Sequence, residues 1–240
     1  MDSFLPYLIF WGLGSCAFAA EYLFSAREVP YGSVFMRDLI ALGAYNISFT
    51  VIVPFTDRIP IPNYVPAGVA ALPVAYKLVL FMVVEDFGLY WVHRVKHTKL
   101  FWSTHKWHHY PTYMYWLAGA RTSIPHIVLF NFTFVAARPL LVDAPGWLFQ
   151  LISIEHIIRN NWMHMNVSWE STRLELVIVT PRYHHIHHSS EPAHAGSNLG
   201  SLLTIWDRLF GTYLNPSKVN RPLEFGIGQR LNPVRLILGI

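Results

Sequence analysis

The sequence predicts an all-α integral membrane protein of about four transmembrane helices, with a helical cap on the cytosolic side. Three observations predict it. Of the 240 residues, 53% are hydrophobic and only 13% are charged, with a mean hydropathy of +0.31; soluble domains carry roughly 25% charged residues. The apolar residues are gathered in long runs. Nine of the thirteen histidines fall within residues 93–109 and 184–188, where the average density of the chain would put about one.

The elements follow in order. Residues 4–24 form the first run, with Glu21 as its only charge. Residues 34–55 form the second, with Arg37 and Asp38 at its entrance. Residues 66–92 form the third, with Lys77, Glu85 and Asp86 inside it. A transmembrane helix needs about 20 apolar residues, so each of these can span. Residues 123–137 and 144–158 are shorter and read as a fourth span or a helical hairpin. Ala17-Phe18-Ala19 resembles a secretory cleavage site, but Asp2 precedes the first run and no Lys or Arg does. Secretory signals start positive, so a retained helix is expected. Cys16 is the single cysteine, which excludes an intrachain disulfide.

Charge sets the orientation. Basic residues cluster beside the histidines (Arg94, Lys96, Lys99, Lys106, Arg182) and in the tail (Arg208, Lys218, Arg221, Arg230, Arg235). In a membrane chain such charges mark the cytosolic side. The net charge of +4 is modest, and no basic stripe follows a polar helix face, so nucleic acid is not expected as a partner. Arg27 suits the cytosolic side, and the proline-rich connection 59–66 behind the near-neutral Asp57-Arg58 suits the other. The third helix then exits into the cytosol at His93, and all the histidine clusters share that face. With no repeat or linker, residues 1–240 read as one domain.

The histidines are spaced for helix faces. His93 and His97 lie one turn apart on an extension of the third helix. His105, His108 and His109 have i, i+3, i+4 spacing. Thr180-Pro181 reads as an N-cap followed by a first helical proline, which puts His184, His187 and His188 on one face. Residues 153–164 form a further helix with His156, Asn160 and His164 in line. His93, His97, His105, His108, His109, His164, His184, His187 and His188 can therefore converge. One structural zinc takes four ligands, whereas nine or ten imidazoles suit two ions with positions left open. A nitrogen-rich two-metal site without thiolate suits iron and oxygen chemistry. Histidines at a membrane boundary and a closed zinc site are the alternatives at this point.

The surroundings of the histidines are specific. Asp86-x3-Tyr90-Trp91-x-His93-Arg94-x2-His97 is followed by Phe101-Trp102-x2-His105-x2-His108-His109. Thr180-Pro181-Arg182-x-His184 and Asn198-x-Gly200 then lead into Trp206-Asp207-Arg208-Leu209-Phe210-Gly211-Thr212. Over residues 75–213, with 214–240 as a C-terminal tail, this resembles the fatty acid hydroxylase / sterol desaturase superfamily of integral-membrane di-iron oxygenases. The resemblance implies two iron ions on the cytosolic face, held by the nine histidines above, with zinc able to replace iron in purified protein. It implies hydroxylation or desaturation of an unactivated C–H bond of a lipid from the bilayer: a sterol, a fatty acyl chain, a sphingoid base or a related lipid. Dioxygen and a separate electron-donor protein are the further partners, since one cysteine cannot ligate an iron–sulfur cluster.

Family members often carry a further His-x3-His where this chain has Asn160-x3-His164. Asn160 is then a tenth ligand or a hydrogen-bond partner of one, with His156 the other candidate. Asp86, two turns before His93, is expected to accept a hydrogen bond from a ligand imidazole, since an acid in a span is costly unless paired. His185 points away from the ligand face, and His126 reads as a core residue. Gly12-Leu13-Gly14-Ser15-Cys16-Ala17 looks like a dinucleotide fingerprint but lacks the preceding strand. Two other classes compete: a non-redox membrane zinc enzyme using Glu191, and a metal-binding transporter or sensor. A bacterial inner membrane or the endoplasmic reticulum would suit the chain.

Overall fold

The computed structural model describes residues 5–56, 58–219 and 222–240; Asp2, Phe4, Asp57 and Arg221, named above, lie outside them. The described residues form α1 (Leu5–Leu23), α2 (Tyr31–Thr56), α3 (Ala67–Ala70), α4 (Val74–Lys96) and α5 (Trp102–His109). They continue as α6 (Ile124–Ala137), α7 (Gly146–His164), α8 (Pro181–His187), α9 (Ile205–Leu209) and α10 (Pro233–Leu238). No strand occurs among them, only three isolated bridges, so the all-α expectation is borne out.

The boundaries follow local chemistry. The third apolar run is broken: Pro73 stands extended as the N-cap of α4 (φ −54°, ψ 146°), and its ring keeps the preceding residue out of the helical region. The stretch 67–70 is left as a single turn. α4 then continues past the apolar run to Lys96, with His97 as its C-cap. Ser123 caps α6 by accepting the backbone N–H of His126, with proline in the first turn. The expected elements 144–158 and 153–164 are one helix, α7; nothing from Trp147 to His164 is glycine or proline, so nothing interrupts it.

By length and composition, α2 and the stretch Ile124–Leu141, formed by α6 and a following 3₁₀ turn, are able to cross a membrane. α4 is amphipathic in the inverse sense of a soluble helix. Its Lys77, Glu85 and Asp86 are buried, whereas Tyr76 and Val79 are more than 60% exposed. Buried charges need partners and exposed apolar rings suit an apolar surrounding.

Buried acids in the first two helices organise the site's foundation. Glu21 on α1 accepts the backbone N–H groups of Trp116 (2.7 Å) and Asn166 (2.8 Å) and the hydroxyl of Tyr31. Asp38 on α2 accepts Tyr115 Oη at 2.8 Å and pairs with Arg121. An apolar cluster of Val34, Tyr115, Trp116, Leu117 and Val167 closes around them. α6 packs against both α2 and α4, and α7 against α1 and α8. The ends of α4 and α7 thereby meet α5 and α8.

Candidate metal centre

Four elements deliver the nine expected histidines to one place. The end of α4 brings His93 and His97, α5 brings His105, His108 and His109, the end of α7 brings His164, and α8 brings His184, His187 and His188 at its C-cap. They fall into two groups. His93, His97, His105, His109 and His187 form one, and His108, His164, His184 and His188 form the other. Within each group the available ring nitrogens lie within 4.8 Å of one another. Spacing places α5 astride both: His105 and His109, one turn apart, serve the first group, and His108 the second.

Tautomers are set by the main chain. His93 Nδ1 lies 2.8 Å from the carbonyl of Leu199, His187 Nδ1 2.9 Å from that of Ser197, and His164 Nδ1 2.7 Å from that of Asn160. A carbonyl only accepts, so each Nδ1 carries the proton and each Nε2 presents a lone pair. Those lone pairs converge on other imidazoles: His93 Nε2 is 3.0 Å from His105 Nε2, and His187 Nε2 is 3.1 Å from His109 Nε2. His164 Nε2 is 3.3 Å from both His108 Nε2 and His184 Nε2. His97 Nε2 is buried and has no hydrogen-bond partner among the described residues. Facing lone pairs and an orphaned ring nitrogen are satisfied by cations, so the donor set fits two metal ions.

Burial favours the neutral, ligating form. It pushes His97 down to about 2 and His187 down to about 3. His105, His108, His109, His184 and His188 are held well below the ordinary imidazole range, first by burial and then by neighbouring charged groups. A neutral imidazole is the metal-binding form.

Asp86 departs from expectation. Its carboxylate touches no imidazole: it accepts the backbone N–H groups of Leu202 (2.8 Å) and Leu203 (3.0 Å) and Trp206 Nε1 (2.8 Å). The reason is that His93, two turns later, is claimed by the Leu199 carbonyl. Asp86 instead holds the loop 199–203, whose Leu199 carbonyl accepts from His93. Asp207 holds the same loop from the other side, accepting Leu199 N (2.7 Å), Gly200 N (2.8 Å), Tyr183 Oη (3.0 Å) and Thr212 Oγ1 (2.6 Å). Gly200 has no room for a side chain: a Cβ would meet the Leu203 carbonyl at 2.7 Å.

The remaining candidates separate clearly. Asn160 gives its backbone carbonyl to His164, and its side-chain oxygen stands beside His164 against Gly119. His156 bonds Glu85 at 3.0 Å and joins neither group. His185 belongs to neither group; its Nδ1 lies 3.1 Å from Arg27 Nη1 and its Nε2 3.3 Å from the His164 carbonyl. His126 is buried as expected, yet it is not a bystander: its Nδ1 is 3.3 Å from His105 Nδ1, and Lys96 Nζ is 3.0 Å from its Nε2. Sequence reasoning missed Leu199 and Ser197, because a main-chain carbonyl leaves no mark in the residue types, and Gly119, because its close approach to His164 depends on packing across the chain. The site opens through a cavity of about 370 Å³ bordered by His97, Trp102, His109, His187 and His188.

Comparisons with known proteins give the family. The sequence model of the fatty acid hydroxylase family matches residues 78–212, more than half of the chain and all nine histidines. The chain is 34% identical over 159 residues to the ornithine lipid hydroxylase OlsE of Rhizobium tropici, covering 65% of this chain and 46% of that protein. It is 31% identical over 145 residues to an alkylglycerol monooxygenase of Danio rerio, covering 60% and 32% respectively. A probable Delta(7)-sterol 5(6)-desaturase of Neurospora crassa is 32% identical over 150 residues, covering 59% and 39%. The chain thus spans less than half the length of these curated relatives. No solved structure matches it significantly. The chain belongs to the fatty acid hydroxylase family.

Proposed function

We propose that this chain is a membrane di-iron oxygenase that hydroxylates or desaturates an unactivated C–H bond of a lipid. One observation carries the proposal: nine imidazoles, seven of them buried and His93 and His97 half-buried, divide into a set of five and a set of four, with ring nitrogens facing one another in each. Three matched relatives are named for lipids, as an ornithine lipid hydroxylase, an alkylglycerol monooxygenase and a sterol desaturase, which supports a lipid substrate.

Two bound ferrous ions would supply the reductive activation of dioxygen, with two electrons from a separate donor protein. For hydroxylation the balance is R–H + O₂ + 2e⁻ + 2H⁺ giving R–OH + H₂O. The residues' task is positioning and exclusion of water. His93, His97, His105, His109 and His187 are proposed to hold one ion; His108, His164, His184 and His188 hold the other. The set of four has one imidazole fewer than the set of five, and Asn160 flanks His164; Asn160 is proposed as the tenth donor of the site or as a hydrogen-bond partner of a ligand. The Leu199, Ser197 and Asn160 carbonyls keep Nδ1 protonated and Nε2 free, while Asp86 and Asp207 hold the loop that provides the first of them.

Residues 1–240 are proposed as a single domain with four spans, built from α1, α2, α4 and the α6–α7 pair. The metal centre would face the cytosol, beside the basic residues near the histidine boxes. The test is metal content per chain, measured on protein purified in detergent from iron-replete cells. A His187→Ala, His188→Ala double variant removes one imidazole from each set. Two irons in the parent and fewer in the variant are expected, with oxygen-dependent oxidation of a supplied lipid. Two zincs, with no turnover even after exchange for ferrous iron, would favour a non-redox zinc enzyme, and an unchanged content in the variant would overturn the site.

A further inference from the structure

A second cavity lies behind the metal centre. It measures about 630 Å³ and runs between α2, α5 and α10. One face of α2 lines it with Arg37, Ile40, Ala41 and Ala44, the i, i+3, i+4, i+7 stripe of a single helix side. From Arg37 to Ala44 the helix descends about 10 Å. Leu236 and Ile237 of α10 face this stripe, and Trp107 closes the apolar end.

The charges in the wall are of one sign. Arg37, Arg121 and Arg230 line the cavity, and no acidic residue does. Arg121 is already neutralised by Asp38. Arg37 and Arg230 have no hydrogen bond or ion pair among the described residues, and both are exposed. Two guanidinium groups without a partner among the described residues therefore line a largely apolar slot, beside a helix long and apolar enough to cross a membrane. Guanidinium matches phosphate and carboxylate by paired hydrogen bonds. The slot also neighbours the site: Gly228 borders both this cavity and the mouth of the metal centre.

We propose that this groove binds an amphiphile with an anionic headgroup, paired to Arg37 and Arg230, its chain lying along Ile40, Ala41, Ala44 and Leu236. Calling that amphiphile the enzyme's substrate class rests on the oxygenase proposal above; its binding does not. A headgroup held at Arg37 and Arg230 would enter from the leaflet.

The test is lipid retention, counted by native mass spectrometry on the full chain in a neutral detergent. The probes are dodecyl phosphate and uncharged dodecanol. One dodecyl phosphate per chain is expected, with dodecanol bound at least about tenfold more weakly, since each charged hydrogen bond is worth about a factor of ten. Arg37→Gln with Arg230→Gln should lose that preference and keep the weak dodecanol binding. Ala44→Trp, which fills the apolar half, should lose both probes. Equal retention of the two probes by the parent chain would overturn the proposal, as would undiminished dodecyl phosphate binding by the double arginine variant. Displacement by an equal concentration of inorganic phosphate would overturn a lipid occupant. Iron per chain, measured on the same samples, reports on the oxygenase proposal separately: dodecyl phosphate bound to a chain without iron keeps the groove and removes the substrate role.

Discussion

His93 donates through Nδ1 to the carbonyl of Leu199 at 2.8 Å, although 106 residues separate them. The backbone N–H of Leu199 is held in turn by Asp207 at 2.7 Å, and the residues just beyond by Asp86. A carboxylate inside α4 and another on α9 thus fix the orientation of one imidazole without touching it. Partners one step out from the ligands tune a metal site through orientation and basicity.

Replacing Asp207 by Asn should therefore loosen metal without removing a ligand. The amide has one acceptor oxygen where the carboxylate has two, and four donors converge there. A loss of about 10- to 100-fold in metal affinity is expected, with about 1–3 kcal/mol of stability. Competition with a graded chelator series reads the first, and thermal unfolding the second. Unchanged metal retention in Asp207→Asn would detach this loop from the site.

Gly119 offers a steric test of the four-imidazole set. A Cβ there would stand 2.6 Å from His164 Nδ1 and 2.8 Å from Asn160 Oδ1. Gly119→Ala should displace His164 and cost about 1–3 kcal/mol from overpacking, with metal content falling toward one per chain. Gly12→Ala meets nothing within 4 Å and serves as the control, with both metals retained. Two metals in Gly119→Ala would show that His164 is dispensable.

Acid should release the metals and then weaken the fold. His97 and His187 sit at about 2 and about 3 in the folded chain, against 6.5 when unfolded. Between those values the unfolded chain binds protons that the folded chain does not. Stability of the metal-free protein is therefore full above about pH 6.5 and declines as the pH falls below it. Unfolding temperatures of metal-free protein from pH 8 to pH 4 measure this. A flat profile across that range would mean the imidazoles are exposed in solution.

Thr180 holds the start of the third histidine box. It caps α8 by accepting Tyr183 N at 3.2 Å and also donates to Glu175. Thr180→Ala should cost about 1 kcal/mol and speed metal loss to a chelator, because His184, His187 and His188 all hang on this seven-residue helix. Thr180→Ser, which keeps the hydroxyl, should restore both.

Much of the site was legible because metal ligation writes itself into residue type and helical spacing. Eight of the nine candidate histidines could be named, and His185 set aside, from helical spacing; His164 was chosen over His156 by the family resemblance. The helical character followed from long apolar runs, and the start of α8 from Thr180-Pro181. The break at Pro73 could have been seen, since proline carries its constraint locally.

What only the tertiary structure decided depends on contacts that cross the chain. The division of nine imidazoles into five and four arises where four helix ends meet, and His105 and His108 part company although they share a face. Asp86 was placed beside His93 by helix periodicity, but the Leu199 carbonyl reached that ring first. His126 looked like an ordinary core residue until α6 packed against α4 and set it between Lys96 and His105. Residue types and their spacing determined which atoms can bind metal; the packing of distant backbone segments decided how those atoms are aimed, because a carbonyl or a backbone N–H is the same in every sequence and acts only where the fold puts it.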